Sequence, residues 1–454
     1  MLLTTQLVNN AAALLETDGN HEAEQEEISM ITARQEHLEN QVIKMSLHVE
    51  RARKMRELAQ QKSLEAKEDA TKPHSERRYC FVMDYSQNLG LPHFGDEQPG
   101  ETYYFSPLSV FCFGTIDCST LPEKMHALVY KEGEGKKGGN NVSSLILFLL
   151  KEKGILKKGG NELSIVMDNC TGQNKNRMVL RLAPLLVEMG FFKKVSFVFL
   201  IRGHTKNICD RYFALMKKFF HKSQVYTYPD LIEILNKQEH VTVLPMETDV
   251  FKDMDKFLNK HFRHLPSGSV TINQIFSSSH ELDAAFSTQT CHEEEAQTRV
   301  LKKGAAANRV DKIKEDFENL PVLPVPGIPP IKQVELWKKW GPNVPVEKRE
   351  SLCPKPPQEI IDLVTNNKKD KAKKNKSEAS KLGIHSKNSA LTNEQEDENE
   401  TSAPTETSAP SPKKRKQQTC SNCGKPGRKN SCSCNNQALT EPAAMGGDVQ
   451  PASL

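Results

Sequence analysis

Long apolar runs are missing from this 454-residue sequence. No stretch approaches the roughly 18 uninterrupted apolar residues that a membrane span needs, so no membrane partner is expected. The first twenty residues lack a charged leader followed by a continuous apolar core, and they do not read as a secretory signal. Aromatic residues are scarce at 6%. The two tryptophans, Trp337 and Trp340, lie three apart in a short amphipathic stretch, which favours packing onto a domain over ligand binding. Apolar residues make up only 37% and charged residues 26%, an average that excludes a chain packed into a core throughout. A dominant charge is also lacking. The net +4 supports no argument by itself, and only the distribution of charge is informative.

Cysteine is present in two settings. Cys80, Cys112, Cys118, Cys170, Cys209, Cys291 and Cys353 are scattered, many of them beside strand-like apolar runs. That pattern predicts reduced thiols in an intracellular protein. Cys420, Cys423, Cys432 and Cys434 lie close together as C-x2-C-x8-C-x-C in a short polar segment. Four thiolates so placed suit tetrahedral Zn²⁺, and a piece this short would fold only around the metal. The competing reading is a cysteine-bearing disordered tail.

Residues 22–70 contain no glycine or proline and predict one long helix. Ile28, Ile31, Leu38, Val42, Met45, Val49, Ala52 and Ala59 recur at alternating spacings of three and four, interrupted by Gln35 and Arg56. Such a seam fits a coiled-coil homodimer, and equally a single amphipathic helix lying on the next domain.

From Tyr79 the texture changes. YCFVMD (79–84), the 103–117 stretch and HALVYKE (126–132) predict strands, followed by a glycine-rich turn. Residues 142–154 predict a helix, 163–168 a buried strand, and 174–190 a helix bent near Pro184 and closed by Gly190. Residues 195–201 predict another buried strand and 207–222 a last helix. The order is β-β-β-α-β-α-β-α over 79–222, an α/β domain of ribonuclease-H-like order with a mixed five-stranded sheet flanked by helices. Residues 223–365 are expected to be an α-rich, irregular extension. Residues 366–418 and 436–454 are expected to be disordered.

In this order the carboxyl ends of the first, fourth and fifth strands share one edge, where ligands of open α/β sheets bind. Each end carries a polar cluster: DYSQN (84–88), DNCTGQNKN (168–176) and RGHTKNICD (202–210). Asp84 and Asp168 each end an apolar strand, and Asp210 falls in the first turn of the last helix. Carboxylates gathered together repel unless cations neutralise them, and Mg²⁺ (or Mn²⁺) suits a few carboxylates plus phosphate oxygens. His204, Lys175, Arg202 and Lys206 would hold phosphates or shuttle protons. Gln87, Asn88, Gln173 and Asn174 would orient ligands. Glu132 and Glu134 offer a further carboxylate or a solvated turn. For Asp210, a helix-capping role competes with metal binding.

The element order and the placement of Asp84, Asp168 and Asp210 resemble the ribonuclease-H-like superfamily that includes DDE/D transposases and integrases. The strings DNCTGQNKN, RGHTKNICDRYF and YKEGEGKKGGNNVSS more specifically resemble an uncharacterised transposon-derived domain family, over about residues 45–265. The resemblance implies Asp84, Asp168 and Asp210 as catalytic metal ligands, with His204 assisting. Arg428 and the C-x-C spacing depart from the zinc knuckles that C-x2-C-G-K-P-G otherwise resembles. PKKRK (412–416) reads as a nuclear import signal or phosphate-contacting patch, so a nuclear address is expected. Three functions fit these observations. One is a transposase-derived, Mg²⁺-dependent nuclease or polynucleotidyl transferase acting on DNA. The second is a domesticated, non-cleaving protein of the same fold that binds nucleic acid, RNA not excluded. The third is an oligomerising protein that works through residues 22–70.

Overall fold

Short runs of β-branched and aromatic residues drive the central strands together. In the computed structural model the described residues are 21–95, 97–304 and 308–367. The chain divides into two units, Met1–Glu378 and Ala379–Leu454, and every described residue belongs to the first. The four clustered cysteines and PKKRK lie outside the described residues, as do the expected disordered segments from 368 onward.

The chain opens with the long helix α1 (His21–Glu68). Then come β1 (Arg78–Tyr85), β2 (Leu89–Leu91), β3 (His93–Phe94), β4 (Leu108–Asp117) and β5 (Met125–Lys131). Helix α2 (Gly139–Glu152) and the single turn α3 (Ile155–Lys158) lead to β6 (Gly160–Met167). The pair α4 (Arg177–Leu180) and α5 (Leu182–Glu188) leads to β7 (Phe192–Phe199), and α6 (Ile208–His221) follows. The expected bend of the 174–190 helix falls at Arg181. Pro184 removes an N–H and its ring presses on the carbonyl four residues back, so α4 stops and α5 restarts.

The inner strands lie in the order β5-β4-β1-β6-β7. β1 is antiparallel to β4 and parallel to β6, which is parallel to β7. The sheet has ten strands rather than five. β8 (Gln224–Val225) pairs with β3, outside this sheet. β9 (Val241–Pro245) joins alongside β5. Beyond β7 come β10 (Ile275–Ser279), β11 (Ala285–Gln289) and β12 (Gln297–Arg299). The expectation of an α-rich region after 222 holds for the helices Tyr228–Leu235 and Met254–His261 but missed these strands. Of these, β10, β11 and β12 are three to five residues long and rich in serine, threonine and glutamine, too short for a period-two pattern to stand out.

The sheet is buried on both faces. Residues 81 and 83 of β1 pack with α2 and α5; residues 80 and 82 pack with α6 and with Ala52, Met55, Leu58 and Ala66 of α1. Helix α1 therefore has two halves. Its C-terminal half lies on the domain. Ile28, Ile31, Leu38, Val42, Met45 and Val49 of its N-terminal half are exposed. Trp340 is buried, stacked 6.2 Å from Phe94, and its Nε1 donates to Ser106 O at 3.1 Å. All seven cysteines of the described residues are free thiols, and only Cys170 is not buried. No helix among the described residues is long and apolar enough to cross a membrane.

Candidate active site at the carboxyl edge

β1 and β6 run side by side in register, with Met83 opposite Met167. The next residue on each is an aspartate. Side chains alternate along a strand, so Asp84 follows residues 80 and 82 to the α6 face. Asp168 follows Val166 to the same face. The two carboxylates thus leave the sheet as neighbours. Asp84 Oδ1 accepts from Tyr85 N at 2.8 Å and Oδ2 from Asn207 Nδ2 at 3.1 Å. Asp168 Oδ1 accepts from Asn174 Nδ2, and from Cys170 N at 3.3 Å. Burial, and next the charge of Asp168, push the Asp84 carboxyl up to about 7, and Asp210 adds to the effect.

Asp210 reaches the cluster through Asn207. Asn207 is the cap of α6, and its side-chain oxygen accepts from Cys209 N at 2.8 Å. Its backbone N–H donates to Asp210 Oδ2 at 2.9 Å, closing a capping box. Its side-chain NH₂ holds Asp84. Asp210 is exposed, serves as a cap, and still lies near enough for its charge to act on Asp84. Among the described residues no three His, Cys, Asp or Glu side chains converge closely enough to hold a single ion.

The other expected site residues are distributed differently. His204 packs its ring 5.2 Å from that of His48 on α1, and no hydrogen bond joins it to the three aspartates. Arg202 and Lys206 are exposed on the 200–207 loop. Lys175 is buried, donating to Gln274 Oε1 at 3.2 Å, with its ammonium 5.7 Å from the Phe199 ring centre. Phe199 belongs to the α2 and α5 side of the sheet, away from the aspartates. Glu132 pairs with Lys332, and Glu134 pairs with Lys131, so neither joins the cluster.

Two contributors escaped sequence reading. Asn207 was placed only within the 207–222 helix, and nothing in its neighbourhood signals that its NH₂ crosses to β1. Lys137 donates to Ser86 O at 3.2 Å and sits 4.7 Å over the Tyr85 ring, beside Asp84. It belongs to the glycine-rich turn, whose approach to β1 is a tertiary event.

Fold and site together define a mixed α/β protein with paired carboxylates at the carboxyl ends of two adjacent parallel strands. The family described as a domain of unknown function (DUF7869) matches residues 123–293, a segment that holds Asp168 and Asp210 but not Asp84. No curated protein matches the chain. Among solved structures, one titled "Crystal structure of NurA" is similar at 11% identity and a TM-score of 0.12, over 62% of this chain and 57% of that chain.

Proposed function

We propose that the domain is a divalent-metal-dependent nuclease or polynucleotidyl transferase of the ribonuclease-H-like DDE/D class, acting on DNA phosphodiesters. The observation that carries this reading is that Asp84 and Asp168 directly follow the paired Met83 and Met167 of two adjacent parallel strands, with Asp210 tied to Asp84 through Asn207. The inner order β5-β4-β1-β6-β7, with β4 and β5 antiparallel, supports the class. The residues fit a hard divalent cation. Asn174 Oδ1, next to the nitrogen that holds Asp168, is buried and has no partner. Burial, and next the charge of Asp168, push the Asp84 carboxyl up, and a bound cation would offset both.

Mg²⁺ binds through one or two carboxylates plus waters and phosphate oxygens, so the absence of a three-residue cluster among the described residues is no obstacle. Asp84 and Asp168 would hold one ion, and Asp84 with Asp210 a second. Bound there, the metal supplies Lewis acidity at the phosphoryl oxygens. Asn174 and Asn207 fix the carboxylates in position, and the exposed Arg202 and Lys206 would contact the DNA backbone. The test is Mg²⁺- or Mn²⁺-dependent nicking of plasmid DNA by the purified chain. Asp168→Asn is expected to lose more than the roughly 10–100-fold typical of a ligand-orienting neighbour. Equal rates in the two proteins would remove the assignment.

A specific observation also favours an oligomeric state. The seam residues Ile28 to Val49 are exposed along a helix that carries β-branched Val42 and Val49 at one seam position and Leu38 and Met45 at the other. That choice favours two-stranded pairing, and we propose a homodimer through this half of α1.

A further inference from the structure

On the face of the sheet opposite the aspartates, the 168–176 loop borders an open cleft of about 560 Å³. Lys175, Arg177 and Arg181 line it together with Thr171, His264 and Asp255. Two of these cations are unusual in their burial. Lys175 and Arg181 are each only 1% exposed. Arg181 is held in place by Asn259 Oδ1 at 2.8 Å and Arg177 O at 3.0 Å, with Asp255 Oδ1 at 3.6 Å. Lys175 has only uncharged acceptors, Gln274 Oε1 and the carbonyl of Thr271 at 3.5 Å. Asp255 is the one acid lining the cleft among the described residues, and its side chain is half exposed. Burying an ammonium without a counter-charge is costly. Burial and the nearby Arg202 hold the Lys175 ammonium down to about 8, as a site lacking its anion would. No role in the proposed chemistry at the aspartates accounts for this arrangement.

We propose that the cleft is a phosphate-binding pocket, with Lys175 and Arg177 meeting the phosphate oxygens and Arg181 shaping the floor. Guanidinium and ammonium groups are the side chains that recognise phosphate. The cleft is large enough for a nucleotide-sized group. Its ligand is the terminal phosphate of a nucleic-acid strand. That choice of source rests on the proposed function, whereas the phosphate chemistry does not.

Binding measured by fluorescence anisotropy separates the two. The full chain is titrated in EDTA with 5′-phosphorylated decathymidylate and with its 5′-hydroxyl twin, and thymidine monophosphate serves as competitor. The phosphorylated strand is expected to bind about tenfold tighter. Lys175→Met and Arg177→Ala should each remove that advantage while leaving the 5′-hydroxyl strand bound as before. Arg177 is exposed, so its variant keeps the proposal testable should Lys175→Met fold poorly. Displacement by thymidine monophosphate at the strand's own concentration supports the pocket and reassigns the source to free nucleotides. Equal affinity for the two strands, no binding of any probe, or an advantage that survives both substitutions overturns the proposal. No divalent ion is present, so failure of DNA cleavage leaves this readout intact.

Discussion

The two sides of the 168–176 loop carry opposite charge under the same physical constraint. On the α6 side, Asp84 is half-buried beside Asp168 and is pushed up to about 7. On the other side, Lys175 is buried beside neutral acceptors and is pushed down to about 8. Neither has an opposite charge within ion-pair distance among the described residues. Structural ion pairs look different here. Asp69 is buried at 1% exposure, but Arg78 lies 2.6 Å away and holds its carboxyl well below the usual range. A protein that places two uncompensated charges on opposite sides of one loop gives up stability at both. The comparison supports the two sites proposed above, one for a cation and one for an anion.

The sharpest way to break the comparison is through pH. For Asp84 the folded value, about 7, lies above the ordinary 3.8. Its ionisation therefore opposes folding, and stability falls as pH rises through that window. Asp84→Asn should be more stable than the parent above pH 7 and equal to it below about pH 4. The full difference corresponds to about 4 kcal/mol, and solvent at a half-buried group reduces it to about 2 kcal/mol. For Lys175 the folded value, about 8, lies below the ordinary 10.5. Stability is then lost as pH falls through that window. Lys175→Met should gain about 1–3 kcal/mol at neutral pH and nothing above about pH 10.5. Urea denaturation of the three proteins between pH 5 and 10 checks both slopes. Slopes of the same sign would end the comparison.

How much of this was legible in the sequence depends on the distance over which each signal acts. β1, β6 and β7 announced themselves as apolar runs, and each cluster at a strand end followed directly. Asp84 and Asp168 could be placed as neighbours because register and alternation are local consequences of strand order. Asp210 was readable in both of its roles, cap and site neighbour, and the structure assigns it the first while keeping it close enough for the second. Lys175 was read as a phosphate contact beside the aspartates. The strand ends, and the loop then turns its lysine beneath Phe199, a geometry no local pattern specifies. Arg181 and His264 come together only through tertiary packing, so the cleft was invisible.

A smaller effect tests the link between Asp84 and Asp210. Asn207→Ala removes the cap on Cys209 N and the hydrogen bond to Asp84 Oδ2. The backbone N–H that serves Asp210 remains. Losing a cap of this kind costs about 1 kcal/mol. The Asp84 bond favours its ionised form, so a second loss of about 1 kcal/mol appears only where Asp84 is charged. The variant should therefore be destabilised more at pH 9 than at pH 5.5. A deficit independent of pH would mean that Asn207 acts as a cap alone.

The smallest expected effect concerns charge that can stay in water. Val42 is 62% exposed on the half of α1 that extends away from the domain core. A lysine there keeps its hydration, unlike Lys175, so Val42→Lys should change the unfolding free energy of the domain by less than about 0.5 kcal/mol. Its effect should appear in assembly instead. Val42 occupies a seam position, and like charges facing each other across a paired helix are unfavourable in both copies at once. Sedimentation at micromolar concentration is expected to show a dimer for the parent and a monomer for the variant. Two proteins of identical mass in solution would mean that the exposed seam has no second copy on it. A drop in domain stability would mean that this half of the helix contributes to the domain's own packing.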